Sequence, residues 1–281
     1  MTDELTSTFH SSVDAGKARL ERHWPGLLAT GMVGGIDVGI GVFGMFVVQH
    51  ATGNAMLGSL AFIIGFLALT LANSELFTEN FLVPVAAVAA RRASPVALLR
   101  LWAGTAVMNL AGGWVLMAVV MAGSPELRPT AVEVGRHPIE LGIGATSFAS
   151  AVLGGTVITL MTWMERGTES MPAKLVAAAA AAFLLASGKL LHVIVISLEA
   201  FAALQAGAPF GYADWLGKAA WAALGNVVGG LGLVTALRLA QLEKGVLERE
   251  RRRPGRQTTR EAEAEGGDGP TQTGEAESTP R

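Results

Sequence analysis

Two apolar runs in this chain are too long for one straight crossing of a membrane and too short for two. Ala55 to Ala90 and Pro172 to Gln205 are each roughly 35 residues, or about 50 Å at the α-helical rise. The hydrocarbon core of a bilayer is only about 30 Å thick, and a tilt of about 20° does not absorb the difference. Each run carries a polar interruption near its middle: LANSELFTENF at Leu71 to Phe81, and LASGKLLHVIVISLE at Leu185 to Glu199. The expected solution is a helix broken at membrane depth. Irregular backbone survives there only where protein buries it or where it faces a water-filled cavity, and transporter sites are often built that way.

Four further apolar blocks accompany them, at Leu27 to Gln49, Leu101 to Ala122, Leu141 to Met164 and Ala219 to Leu239. The chain is 51% hydrophobic and 16% charged, where an ordinary soluble domain carries about 25% charged residues. No short alternating strands of a β-barrel are present. The predicted fold is therefore an all-α integral membrane protein with six transmembrane helices, placed in the cell (inner or plasma) membrane. Residues 1–26 read as a helical N-terminal segment without the layout of a signal peptide. Residues 27–240 form the membrane domain, and residues 241–281 a charged tail with no apolar periodicity, expected to be disordered.

Lys and Arg set the orientation. Lys17, Arg19 and Arg22 precede the first block. Arg91, Arg92 and Arg100 follow the second, Arg166 and Lys174 lie between the fourth and fifth, and Arg238 to Arg253 follow the sixth. Both termini and the even-numbered loops are thus expected in the cytoplasm. A formal net charge of −2 gives no footprint for a nucleic-acid partner. The sequence has no cysteine, which removes thiol catalysis and Cys-based metal sites; no cofactor or metal is expected.

The two interruptions rhyme. Leu71 to Thr78 aligns with Leu185 to His192, and Met108-Asn109-Leu110-Ala111-Gly112-Gly113 with Gly225-Asn226-Val227-Val228-Gly229-Gly230. The spacing corresponds to three helices, an odd number, so the halves would insert in opposite directions: an inverted 3+3 repeat with two broken helices. This alignment makes Thr78 the counterpart of His192, and Glu75 the counterpart of Lys189.

Ionisable groups at membrane depth are functional candidates: Asp37, Glu75, Glu79, Lys189, His192 and Glu199. His192 alone of the histidines falls inside a span. Its imidazole can hold or donate a proton near neutral pH; the plainer alternative is a packed, hydrogen-bonded ring. Thr78 can donate a hydrogen bond to an anion or to the imidazole, or merely cap a helix. Leu76, Phe77 and Leu191 are candidates for apolar constrictions. Asn109 and Asn226 are expected to bond the exposed backbone of the breaks, the alternative being contact with a solute. Glu75 and Lys189 could form a buried ion pair, or pair separately. Lys174 could draw anions to the cytoplasmic rim. Glycines 31, 35 and 39 make a close-packing stripe beside Asp37, to which no role is assigned.

At Ser74-Glu75-Leu76-Phe77-Thr78-Glu79-Asn80 the chain resembles the formate/nitrite transporter family. The likeness extends to Asn109, Lys174, His192, Gly225-Asn226 and Gly229-Gly230, and the Thr78-Glu79-Asn80 ending with the His192, Ser197, Glu199 pattern is similar to one branch of that family. The resemblance implies an aquaporin-like fold, a homopentamer with one pore per protomer, and a central Thr78–His192 pair between two apolar constrictions. One departure stands out: Lys189, Leu190 and Leu191 separate Gly188 from His192, where the best-known members have two residues.

The function expected is passage of a small monovalent anion or its neutral acid, of the formate, nitrite or hydrosulfide class, with protonation at His192. A neutral-solute channel for water or glycerol is the alternative, although Asn-Pro-Ala motifs are absent. An enzyme is not expected: Ser197 and His192 are five residues apart, on poorly matching helix faces, and no metal cluster or Gly-x-Ser-x-Gly elbow is present.

Overall fold

Both long runs are interrupted. The computed structural model describes residues 2–242 and 245–252. Helix α1 (Thr2–Glu21) precedes α2 (Trp24–Thr52), which turns at Gly53, φ 64°, into α3 (Ala55–Ala72). The Asn54 side-chain oxygen starts α3 by accepting from the amides of Met56 and Leu57, as an N-cap does. Helix α3 stops at Asn73, which adopts the left-handed conformation at φ 52°. A short 3₁₀ turn, Phe77–Phe81, and α4 (Val83–Ala89) complete the first run.

Helices α5 (Pro95–Gly123), α6 (Arg128–Glu140) and α7 (Ala145–Arg166) follow. The second run divides into α8 (Met171–Ser187) and α9 (Val193–Gln205), with Lys189 in the left-handed region at φ 48° between them. Helix α10 (Tyr212–Ala240) comes next. It is underwound over Val228–Ala236, a local i→i+5 pattern at the stretch where Gly229 and Gly230 lie against α7 and Phe81.

Five helices (α2, α3, α5, α7 and α10) are long and apolar enough to cross a membrane. Helices α8 and α9, at 17 and 13 residues, are each too short alone at about 1.5 Å per residue. Large apolar side chains such as Val96, Val107, Ile143 and Val176 are more than 60% exposed, as surfaces that face lipid or a neighbouring subunit require. The interior core runs through α2, α3, α5, α7, α8 and α9, with Phe46, Phe62, Phe66 and Ile158 fully enclosed.

Two segments depart from the sequence expectations. The connection after α5 contains the helix α6 rather than a plain polar loop; its Gly135, Ala131 and Pro138 are buried against α9. Prolines at 129 and 138 mask this helix in the sequence; Pro129 sits in its first turn, where an amide hydrogen would have no helical partner, and Pro138 lies inside it, two residues before its end. The tail, expected to be disordered from residue 241, forms helix α11 (Val246–Arg252). Val246 is buried with Phe9, Val13, Ala86 and Ala90, and Glu250 meets His10 at 2.7 Å. Leu247 packs against the same cluster and Arg251 donates to the Ala89 carbonyl at 3.1 Å; two adjacent apolar residues in a charged stretch are too few to register as a periodic pattern. The remainder of that expected tail lies outside the described residues. Helices α1 and α11 pack together with the end of α4, so the two terminal helices share one face of the molecule, and the α2–α3 turn lies at the other.

Candidate functional site

Breaking a helix leaves amides and carbonyls without partners. At membrane depth each must be satisfied by protein. Two asparagines do this, one at each break. The Asn109 side-chain oxygen accepts from the Phe77 amide at 2.8 Å, and its Nδ2 donates to the carbonyls of Gly31 at 2.6 Å and Glu75 at 2.9 Å. The Asn226 side-chain oxygen accepts from the Val193 amide at 2.9 Å, and its Nδ2 donates to the carbonyls of Ala151 at 2.7 Å and Leu191 at 2.8 Å. Both asparagines are 0% exposed. Their role as backbone clamps agrees with the sequence reading.

The helices come close enough for these clamps because of glycine. A Cβ on Gly35 would lie 2.0 Å from the Asn109 carbonyl oxygen, and one on Gly155 would lie 2.1 Å from that of Asn226. Neither position admits a side chain. Part of the glycine stripe on α2 thus lets a clamp reach its break.

The clamps also correct the register read from sequence. By their hydrogen bonds Phe77 matches Val193 and Glu75 matches Leu191, so Leu76, not Thr78, is the counterpart of His192. The left-handed residues agree: Asn73 falls opposite Lys189. Counting letters from the start of each polar stretch misplaced the alignment by two residues, because the first break continues into a 3₁₀ turn and the second enters α9 directly.

Thr78 and His192 nevertheless meet. Thr78 Oγ1 lies 2.6 Å from His192 Nε2, and both residues are 0% exposed. His192 is the N-cap of α9, its Nδ1 accepting from the Val195 amide at 3.4 Å. With Nδ1 assigned as the acceptor of the Val195 amide, Nε2 carries the proton and donates it to Thr78 Oγ1. The threonine hydroxyl hydrogen is then left to donate elsewhere.

Leu76 and Leu191, 0% and 1% exposed, flank this pair along the two breaks. Phe77 is only half-buried and packs edge-on against Phe81, with ring centroids 5.0 Å apart, in a cluster with Trp102. Thr235 of α10 donates to the Phe81 carbonyl at 2.8 Å and fixes this cluster to the underwound stretch. No sequence motif marks Thr235; its hydroxyl at membrane depth is the one signal that the sequence offers for it.

Glu75 and Lys189, for which the sequence leaves a mutual pair and separate partners both open, do not pair with each other. Glu75, 1% exposed, binds Arg19 at 3.3 Å and Arg22 at 2.8 Å. Arg19 also donates to the Asn80 side-chain oxygen at 3.0 Å. The break acid is therefore paired with Arg19 of α1 and with Arg22 in the link from α1 to α2. Lys189 lies instead at a cavity on the opposite side of the breaks, with Glu199 and His137. Asp37 accepts a hydrogen bond from Ser74 and ties α2 to the first break. Lys174 lies half-exposed in the first turn of α8, within electrostatic reach of Glu165.

Comparison with known proteins decides the family. The sequence profile described as Formate/nitrite transporter matches residues 6–240. The chain belongs to the formate/nitrite transporter family. It is therefore a membrane channel or transporter and not an enzyme. Among curated relatives, inner membrane protein YfdC of Escherichia coli strain K12 is 27% identical over 259 residues, 88% of this chain and 82% of the relative. Uncharacterized transporter YrhG of Bacillus subtilis strain 168 is 24% identical, covering 78% and 86%. Among solved structures, an FNT family ion channel superposes with a TM-score of 0.74 at 18% identity, over 84% of this chain and 98% of its own. A pentameric formate channel with formate bound gives 0.65 at 21%, over 77% and 96%. The structural likenesses establish an FNT channel fold.

Proposed function

We propose that the protein passes a small monovalent weak-acid anion of the formate, nitrite or hydrosulfide class across the membrane, and that His192 governs its proton. The observation that carries this reading is the fully enclosed Thr78–His192 hydrogen bond. A bare charge is costly at membrane depth; the neutral acid is not. The Thr78 hydroxyl, with its oxygen occupied by the imidazole N–H, is free to donate to the oxygen or sulfur of the permeant. Leu76 and Leu191 on either side strip water from it, while Phe77 shapes the wall through its aromatic cluster. Lys174, on the face of the termini, attracts the anion.

The matched asparagine clamps support an inverted 3+3 repeat, in which α8 and α9 together make one of six spans. The pentameric formate channel among the structural relatives supports a homopentamer with a pore in each protomer. The basic residues at both termini support a cytoplasmic location for residues 1–26 and 241–281, around a membrane domain of residues 27–240.

The test is uptake of radiolabelled formate, nitrite and hydrosulfide into proteoliposomes, with and without a proton gradient, for the wild type and His192→Ala. The variant should lose the pH dependence of flux and its coupling to the gradient. Equal flux at every pH removes His192 from the mechanism.

A further inference from the structure

The second break opens, on the side away from the terminal helices, into a cavity of about 440 Å³. Leu191 is among its lining residues, and the next residue is His192. One stripe of α9 connects the two. Val195, Ile196 and Glu199 line the cavity and follow His192 by three, four and seven residues, so all lie on the imidazole's side of the helix. Glu199 is about 10 Å further along the axis.

Two charged groups here are left over by the site already described. Neither the Glu199 carboxylate nor the Lys189 ammonium has a hydrogen bond or ion pair among the described residues, although each is within electrostatic reach of the other. Lys189 occupies a left-handed conformation while the glycine that would fit it without strain stands one place earlier. That conformation ends α8, the Leu190 amide closing back on the Leu185 carbonyl at 3.0 Å, and the turn sets Lys189 at the cavity. Glu199 is held in place from behind: Gly135 of α6 packs so closely that a Cβ there would come within 2.5 Å of the Glu199 carbonyl oxygen.

The other groups facing Glu199 are occupied or neutral. On α6, Glu140 is paired with Arg136 at 2.6 Å, and Glu133 is exposed at the rim. Burial first, then the charge of Lys189, holds His137 below the ordinary histidine range, against the opposing effect of Glu140. On α10, Lys218 donates to the Gly142 carbonyl and Asp214 accepts from the Gly211 amide. On α2, His50 lies 3.4 Å from the Thr130 hydroxyl. The ionisable group of α5 is Arg100, near its opposite end.

We propose that Glu199 is the proton donor that converts the arriving anion to its neutral acid in this cavity, with Lys189 as the charge on which the anion docks. The step is a simple exchange: the anion takes the proton of the Glu199 carboxylic acid, leaving the neutral acid and a carboxylate. The neutral acid passes Leu191 to Thr78 and His192, where the imidazole governs whether it keeps that proton, and the Glu199 carboxylate, beside Lys189, takes a new proton from water at the cavity mouth. A half-buried carboxyl group with no hydrogen-bond partner, on a cavity wall next to a lysine, is placed to meet an arriving anion. The proposal rests on the weak-acid passage proposed above.

The experiment measures initial uptake of radiolabelled formate by the full-length protein in proteoliposomes between about pH 8 and about pH 5. It compares the wild type with Glu199→Gln, Glu199→Asp and Lys189→Met, each checked for an intact oligomer by size-exclusion chromatography. Glu199→Gln should fall about a hundredfold at the alkaline end, the lower range for a positioned proton donor. Its deficit should shrink about tenfold per pH unit on acidification, as neutral acid forms in bulk. Glu199→Asp should retain most of the rate. Lys189→Met should raise the half-saturating concentration without changing the pH profile. A Glu199→Gln protein that matches the wild type at every pH, or whose deficit is the same at every pH, overturns the assignment of Glu199 alone. A wild type that moves neither formate, nitrite nor hydrosulfide overturns the weak-acid reading, and this proposal with it.

Discussion

Asn109 and Asn226 make the same three hydrogen bonds to two different helix breaks. Each accepts one amide and donates to two carbonyls, one on the break and one on a neighbouring helix. Both side chains are fully enclosed, so their removal strands backbone groups where water does not reach them.

Asn109→Ala and Asn226→Ala should therefore each destabilise the protein by about 3 kcal/mol or more, since each orphaned buried group costs about 1–3 kcal/mol. Chemical denaturation in detergent micelles, followed by tryptophan fluorescence, reads the loss. Two variants as stable as the wild type would show that the breaks hold their shape without clamps.

Gly35→Ala and Gly155→Ala should be worse tolerated than Gly123→Ala. At the first two positions the added carbon would meet a clamp carbonyl at about 2 Å, whereas nothing lies within 4 Å at Gly123. Overpacking of a tight helix contact costs about 1–3 kcal/mol. Expression level and melting temperature of the three variants make the comparison, and a Gly123→Ala protein that suffers equally contradicts it.

Glu75→Gln should loosen α1. The carboxylate holds Arg19 and Arg22 from a site where its own side chain is 2% exposed, and breaking a buried pair by neutralising one partner costs about 3–5 kcal/mol. Amide hydrogen exchange over residues 5–21 should accelerate, while α7 exchanges as before. Unchanged protection of α1 would mean that its apolar contacts suffice.

Thr78→Val keeps the shape of the side chain but leaves the His192 Nε2–H without its acceptor. Formate uptake should fall by about tenfold or more, in line with the 1–3 kcal/mol assigned to an unmet buried donor. Thr78→Ser should retain most of it. Equal rates in the valine and serine variants would deny the hydroxyl a role.

His137 supplies a pH dependence of stability that can be isolated. Its folded-state value lies below the ordinary one, chiefly through burial, so the unfolded chain binds more protons in the window between them. Stability therefore rises with pH and is lost as pH drops from about 6.5. Melting temperatures in detergent at about pH 7.5 and about pH 5.5 should show a smaller drop for His137→Gln than for the wild type. An identical drop would assign the acid sensitivity to other groups.

The broken helices were legible in the sequence because a physical mismatch reports them: about 50 Å of apolar helix does not fit a core of about 30 Å, and the polar residues mark where each run yields. His192 and Thr78 were legible for the same reason, as polar groups at a depth where polarity needs a purpose. The register between the breaks was not. It depends on which amide each asparagine reaches, and a 3₁₀ turn on one side moves the match by two residues without changing a letter pattern. The partners of Glu75 and Lys189 were also decided only by tertiary structure. A charge states that it needs a counter-charge or water, but not from which of the elements packed around it the answer will come; Glu75 finds Arg19 on α1 and Arg22 just after it, and Lys189 faces a cavity wall built by α6 and α9. Sequence periodicity records the distance each helix must cover, whereas contacts between distant segments depend on how glycines such as Gly35, Gly135 and Gly155 let the backbones approach.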